Sequence, residues 1–522
     1  MKNKLIFFSL AMSLGLLGQT VKVVSSTENY DSNGIVYNNS LFFSKNNKLA
    51  QFNGVSVVNL PNPNDNGQPI DGKLTGSMII YNNKLCYNYD YTYLFSTAPT
   101  QYRTKDYIIT YDGSTQTAFW NSDAGSDGGI FIHDNGGEAG PVLYNGKLIF
   151  KGSYYGGSNL FTFDGQVVKK IPNQYNISSS SNRIKLGDWA LVYNNILYFS
   201  YVGDGNWDGI GKFDGTSITK ITNNNQEYWG GIFALNNTLY FKMYFMSNPA
   251  AYSMGTYDPA VNDVSMISSP NMFLSGGGKP LMYNSKAYMT SGGGKFAIFD
   301  GLTTTEIPNL NMNDKGVAGS RVLFGNNIYF PYQDSNMKYF LGQYSGTSIS
   351  LIPNASTSDQ GIGKSLIEFN GELYFTYTTT ISPTPKTFLA KYDGQNITVL
   401  PNPDSGQGVQ DSKFVVYGND LYFPYKNAAG IINMAKYGTT VLSTKETVKD
   451  VGVSIFKDNN GFSVVSKTEK ITKIEVLDAS GRAILNTKAN AQKYSFDIGV
   501  HGVFIVNVTL DNGKVSTLKV RN

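Results

Sequence analysis

The chain has 522 residues, too many for a single hydrophobic core, so it holds either several domains or an array of repeats. Aromatic residues reach 14% and charged residues only 15%, with 55 glycines, a composition that suits short strands and tight turns and leaves few helix formers. One cysteine and two histidines exclude an intramolecular disulfide, a cysteine metal cluster and a multi-histidine metal site. The net charge of +4 comes wholly from residues 445–522, where twelve Lys/Arg face eight Asp/Glu, so the preceding body lacks the positive charge that nucleic-acid binding requires.

In chain order, residues 1–18 come first. Lys2 and Lys4 precede an apolar run from Leu5 to Leu17, and Gly18 closes it. A short basic start, a hydrophobic stretch too brief for a comfortable membrane span and a small residue at its end predict a secretory signal peptide cleaved near Gly18. The rival reading is a single membrane anchor. No later segment is long enough to cross a bilayer.

Residues 19–443 repeat one unit. Its clearest copy is LVYNNILYFSY at 191–201 followed by IGKFDGTSITKIT at 210–222. The residue before the first turn marks nine copies, at Tyr37, Tyr81, Tyr144, Tyr193, Leu235, Tyr283, Phe324, Phe369 and Tyr417, with spacings of 41 to 63 residues that cluster near 45. Each copy reads as strand, tight turn, strand, long loop, strand, tight turn, strand. The first turn is Asn-Asn or Asn-Gly, as at Asn38-Asn39 and Asn145-Gly146; the second is Asp-Gly, as at Asp112-Gly113 and Asp214-Gly215. The fold expected is an all-β propeller of eight or nine four-stranded blades, with the mature N-terminus able to complete the final sheet.

Over roughly 30–443 this pattern resembles the kelch repeat, in the Leu-Tyr-x-Phe-like second strand and the Tyr-Asp pair of the third. The kelch double glycine and the tryptophan of the fourth strand are mostly missing, so the resemblance implies the architecture and not a kelch function.

If the two tight turns lie at one end of every blade, the long second-to-third loops and the blade crossings gather at the other. A variable rim on a rigid scaffold is where a ligand is expected. That rim holds Tyr91, Tyr93, Tyr154, Tyr155, Trp207 and Tyr244, with Trp120, Trp189 and Trp229 near blade crossings; Tyr154, Tyr155, Trp207 and Trp229 are the leading ligand-binding candidates. Flat aromatic faces beside amides and carboxylates suit a saccharide or an extended peptide. Most of the 71 aromatic residues are nonetheless expected between blades, as core.

Three further patterns bear on chemistry. Asp204, Asn206 and Asp208 alternate oxygen ligands before Gly209, the opening of a calcium loop, yet Gly215 stands where the bidentate Glu of the full motif belongs. His133, Asp134 and Glu138 place an imidazole beside carboxylates, the weak candidate for catalysis. The glycine runs 276–278 and 292–294 do not join a strand to a helix, which excludes a phosphate loop. No cofactor other than possible calcium is implied.

After Ser443 the repeat stops, and residues 444–522 read as six or seven alternating strands of a small β-sandwich, with turns at Asn459-Asn460-Gly461 and Asp511-Asn512-Gly513. The run Ile474–Ile484, then Gly502–Val508, then Gly513 and the basic close Lys519-Val520-Arg521 is similar to the type A C-terminal sorting domain of the bacteroidotal type IX secretion system, with Phe456-Lys457-Asp458-Asn459 in place of the usual Tyr-Pro-Asn-Pro. The resemblance implies type IX secretion machinery as partner, passage across the outer membrane and a secreted or cell-surface location. An ordinary carbohydrate-binding or Ig-like sandwich is the alternative. The function expected is a non-catalytic surface or secreted binding or adhesion protein for a polysaccharide or protein; the alternative is a secreted polysaccharide hydrolase or lyase using rim carboxylates.

Overall fold

A computed structural model describes residues 20–24, 30, 34–65, 68–97, 100–120, 130–131, 141–154, 157–172, 184–202, 208–221, 226–228, 231–245, 248–259, 262–267, 280–379, 385–411, 414–438, 453–458, 461–478, 482–498 and 503–521. The predicted leader, residues 1–18, lies outside them. Among the described residues the chain is all-β except for one turn of 3-10 helix, Gly292–Gly294. No helix among them is long and apolar enough to cross a membrane. The chain divides into two compact units, Met1–Thr439 and Thr440–Asn522.

In the first unit every one of the nine anchor residues is the last residue of a strand, from Ile35–Tyr37 in the first repeat to Val415–Tyr417 in the ninth. A two-residue turn follows. Asn38 and Asn39 have φ of 44° and 54°, and Asn82-Asn83, Asn194-Asn195, Asn236-Asn237 and Asn284-Ser285 repeat this positive-φ pair, the backbone a twisted two-residue hairpin demands and asparagine tolerates. The second turn works differently. The carboxylate of Asp112 accepts the amides of Ser114 and Thr115, and Asp164, Asp214, Asp300 and Asp393 do the same for their own turns. The Asp-Gly carboxylates hold turns.

The second strands are largely buried, as in Ser40–Lys45, Asn327–Gln333, Glu372–Thr378 and Asp420–Lys426. In six repeats a phenylalanine of the second strand lies opposite a small residue of the third: Phe43 opposite Ala50, Phe199 opposite Gly211, Phe241 opposite Gly255, Phe330 opposite Gly342, Phe375 opposite Ala390 and Phe423 opposite Ala435. The ring fills the space that the missing side chain leaves.

Successive sheets pack on one another. Leu85 and Ile109 of the second repeat share a core with Phe42 of the first. Each later repeat packs likewise on the one before it, through to Leu421 and Phe423 of the ninth against Tyr374 and Leu389 of the eighth. A further cluster joins Tyr422 and Met434 of the ninth repeat to Leu41, Phe43 and Phe52 of the first. Anchor hydroxyls follow the same succession. Tyr37 donates to the Asn83 carbonyl (2.7 Å), Tyr81 to Gly146 (2.7 Å), Tyr144 to Asn195 (2.8 Å), Tyr193 to Asn237, and Tyr417 back to Asn39 (2.6 Å). The short strand Lys22–Val23 pairs with Ile432–Gly438, Val23 opposite Ala435, so a segment from the start of the chain supplies the outer strand of the ninth sheet.

One expectation needs correction. The second-to-third connection is not a long loop throughout: it is the two-residue turn Asn46-Asn47 in the first repeat, and in the second the strands Lys84–Thr97 and Thr100–Tyr111 run on together as a long hairpin. What varies there is strand length. Tyrosine alternates with polar residues over 87–93, a period of two that leads the strand on into the insertion near 94–106 instead of ending it.

The second unit has two antiparallel sheets, one of Val453–Asp458, Gly461–Ser466 and Lys493–Phe496, the other of Ile471–Leu477, Ala483–Ala491, Val503–Leu510 and Val515–Arg521. Phe462, Val464 and Phe496 of the first share one core with Ile474, Val476, Val506 and Val508 of the second.

Candidate functional site: an aromatic face on the second repeat

In the long hairpin of the second repeat Tyr89 lies opposite Tyr107 and Tyr91 opposite Lys105; on the other side of the third strand, Trp120 lies opposite Tyr107. Opposed residues of antiparallel strands share a face, so Tyr89, Tyr91, Tyr93, Lys105, Tyr107 and Trp120 all project to one side. The alternation Tyr87-Asn88-Tyr89-Asp90-Tyr91-Thr92-Tyr93 creates this row.

The face rises out of the core. Tyr89 and Tyr107 are buried in the first-to-second repeat cluster, Tyr91 packs against that cluster from its edge, and Trp120 is 37% exposed. The rings of Tyr91 and Tyr93 stack with centroids 6.1 Å apart and planes 15° from parallel. Lys105 Nζ sits 4.6 Å from the centroid of Trp120 and 5.6 Å from that of Tyr93, within the range of an attraction to both ring faces. Below them Tyr107 donates to Asp65 Oδ2 (3.2 Å); burial, then the Asp65 charge, raises its phenol above the ordinary range. Among the described residues Lys105 makes no ion pair, and the Tyr91 and Tyr93 hydroxyls and the Trp120 indole N–H have no hydrogen-bond partner. A flat apolar surface, three donors and one ammonium without an ion pair among the described residues thus meet on one patch.

For most other residues singled out from sequence the side chain lies outside what the structure describes. His133, Asp134, Glu138, Tyr155, Asp204, Asn206, Trp207 and Trp229 lie outside the described residues. Tyr154 ends the strand Lys147–Tyr154, opposite Gly157, and Asp208 opens Asp208–Phe213, opposite Val202; their side chains are not among those described. The same holds for Trp189 and Tyr244. Tyr91, Tyr93 and Trp120 are brought together, and Lys105 between them is the member that sequence reasoning missed. Its signal was register: once the hairpin is extended, Lys105 must face Tyr91.

Other reactive groups are occupied or inert. Burial pushes the Cys86 thiol up to about 12, so it stays protonated and unreactive at neutral pH. Burial also lowers the Arg321 guanidinium to about 10, where Nη2 donates to the Thr290 hydroxyl. Among the described residues no three His, Cys, Asp or Glu side chains converge as metal ligands.

A family model described as "Domain of unknown function (DUF8694)" matches residues 442–521. No curated protein matches the chain. Among solved structures the chain is similar to PorZ, described as an essential bacterial surface component of the type-IX secretion system of Porphyromonas gingivalis, at 10% identity over 98% of this chain and 88% of that one, with a TM-score of 0.27. It is also similar to a puromycin-hydrolyzing peptidase of Mycobacterium tuberculosis (10% identity, 68% and 58% covered, TM-score 0.36) and to a prolyl endopeptidase (9%, 86% and 56%, 0.38). At these TM-scores none of the three likenesses carries an argument about this chain.

Proposed function

We propose that the chain is a secreted or cell-surface binding protein, that its nine repeats are the blades of a β-propeller, and that the aromatic face of the second blade engages a saccharide. The observation that carries this reading is the group Tyr91, Tyr93 and Trp120. Sugar rings present flat C–H faces to aromatic planes, and free phenol and indole donors can reach their hydroxyls. The propeller reading is supported by nine repeats of one strand pattern, of which the ninth packs on the first and takes an outer strand from Lys22–Val23. The C-terminal unit is read as a β-sandwich serving as a type IX sorting signal, supported by its two sheets over one core and by the sequence resemblance of Ile474–Ile484 and Gly502–Val508.

A glycan array probed with the purified mature chain tests the binding reading. Wild type is expected to retain a defined set of saccharides without releasing new reducing ends, and Trp120→Ala or Tyr93→Ala to weaken retention by about tenfold, the loss of one stacking contact of about 1.4 kcal/mol. Full binding by both variants would overturn the assignment, and steady release of reducing ends would favour a hydrolase instead.

A further inference from the structure

We infer that the saccharide is anionic, and that Lys105 selects it by pairing with a uronate carboxylate or a sulfate ester laid across the Tyr91–Tyr93–Trp120 face. This rests on the binding role proposed above and specifies its substrate class. Three observations lead to it. Lys105 stands at the centre of the patch, directly opposite Tyr91 and within 4.6 Å and 5.6 Å of the ring centroids of Trp120 and Tyr93. Among the described residues it has no carboxylate partner, whereas three half-buried lysines of later repeats are each paired with an acid: Lys391 with Glu372 (2.8 Å), Lys436 with Asp420 (2.6 Å) and Lys295 with Glu306 (2.8 Å). An acid near the patch, Asp65, accepts the Tyr107 hydroxyl (3.2 Å) and makes no ion pair with Lys105 among the described residues.

The aromatic contacts position the ammonium without cancelling its charge. Ring faces hold Nζ over the patch through their quadrupoles, and the ammonium keeps donors for an incoming oxygen. A neutral sugar would leave that charge unmatched. An anion on the ring stacked over Trp120 would meet it with a charge-assisted hydrogen bond. A nucleic acid would combine the same two features, but residues 1–444 carry no net charge with which to hold a phosphate backbone.

The test compares charged and neutral forms of one polymer. Binding of the full mature chain is measured by titration calorimetry against polygalacturonate and its methyl ester, and against dextran sulfate and dextran. The acidic member of at least one pair is expected to bind about tenfold more tightly at low salt, with the preference shrinking as salt screens the contact; the pair that shows it separates carboxylate from sulfate. Lys105→Met, which keeps the stem, is expected to abolish the preference, and Lys105→Arg to retain it. Equal binding of charged and neutral polymers, or a preference that survives Lys105→Met, overturns the inference while the aromatic face stands, provided Trp120→Ala still weakens binding. Wild-type binding to none of the four polymers overturns the inference, and glycan-array binding that survives Trp120→Ala overturns the aromatic face as well.

Discussion

The Asp214 carboxylate accepts three hydrogen bonds in its turn, from the Thr216 amide (2.8 Å), the Thr216 hydroxyl (2.6 Å) and the Ser217 amide (3.1 Å), and these donors lower its pKa to about 2 from an ordinary 3.8. A depressed folded-state value means that the charge contributes stability in full above the unfolded value, and that this contribution is lost as pH falls through about 2. Asn53 occupies the same place in the first repeat and accepts the Val55 and Ser56 amides without a charge. Asp214→Asn is therefore expected to keep the turn and lose its pH dependence. In thermal melts the stability gap between wild type and variant should be constant above pH 4 and close between pH 4 and 2; a gap independent of pH would contradict this. Turn chemistry of this kind was legible in the sequence because Asn-Asn and Asp-Gly each have one backbone reason to recur. The roles of single side chains were not: nothing in the letters around Thr290 says that it meets Arg321 of the next repeat.

At the scale of strands, a small residue opposite a phenylalanine recurs in six repeats, and it explains glycines that turns do not. A Cβ added at Gly342 would lie 2.5 Å from the Phe330 ring, and one at Gly211 2.4 Å from Phe199. Gly342→Ala is expected to overpack this pair and cost about 1–3 kcal/mol, read as a lower urea midpoint; an unchanged midpoint would show that the pair tolerates the extra methyl. The sequence revealed these strands but not their partners, since Ala or Gly in a third strand looks like weak β propensity until register places it under a ring. Register also accounts for the misread insertion. Tyr91 and Tyr93, expected in a rim loop, lie in a strand, and the period-two pattern of 87–93 is the signal for it.

Across the whole first unit, the order of the repeats is also the order of their packing, and the anchor tyrosines of the first four repeats each tie to the next one's turn, with Tyr417 of the ninth returning to Asn39. The repeat number was readable because the turn signal survives in all nine copies. That Lys22–Val23 pairs in the ninth sheet was only a possibility in the sequence, where two strand residues beside a predicted leader carry almost no pattern. Such a scaffold holds the second repeat's hairpin by its buried base, Tyr89 and Tyr107, and leaves its outer half to carry Tyr91, Tyr93, Lys105 and Trp120. The most direct measurement is a crystal structure of the mature chain with a bound oligosaccharide chosen from the array. A sugar ring stacked on Trp120 and the Tyr91–Tyr93 pair is the expected result; a sugar seated on another repeat, with this face bare, would contradict the assignment.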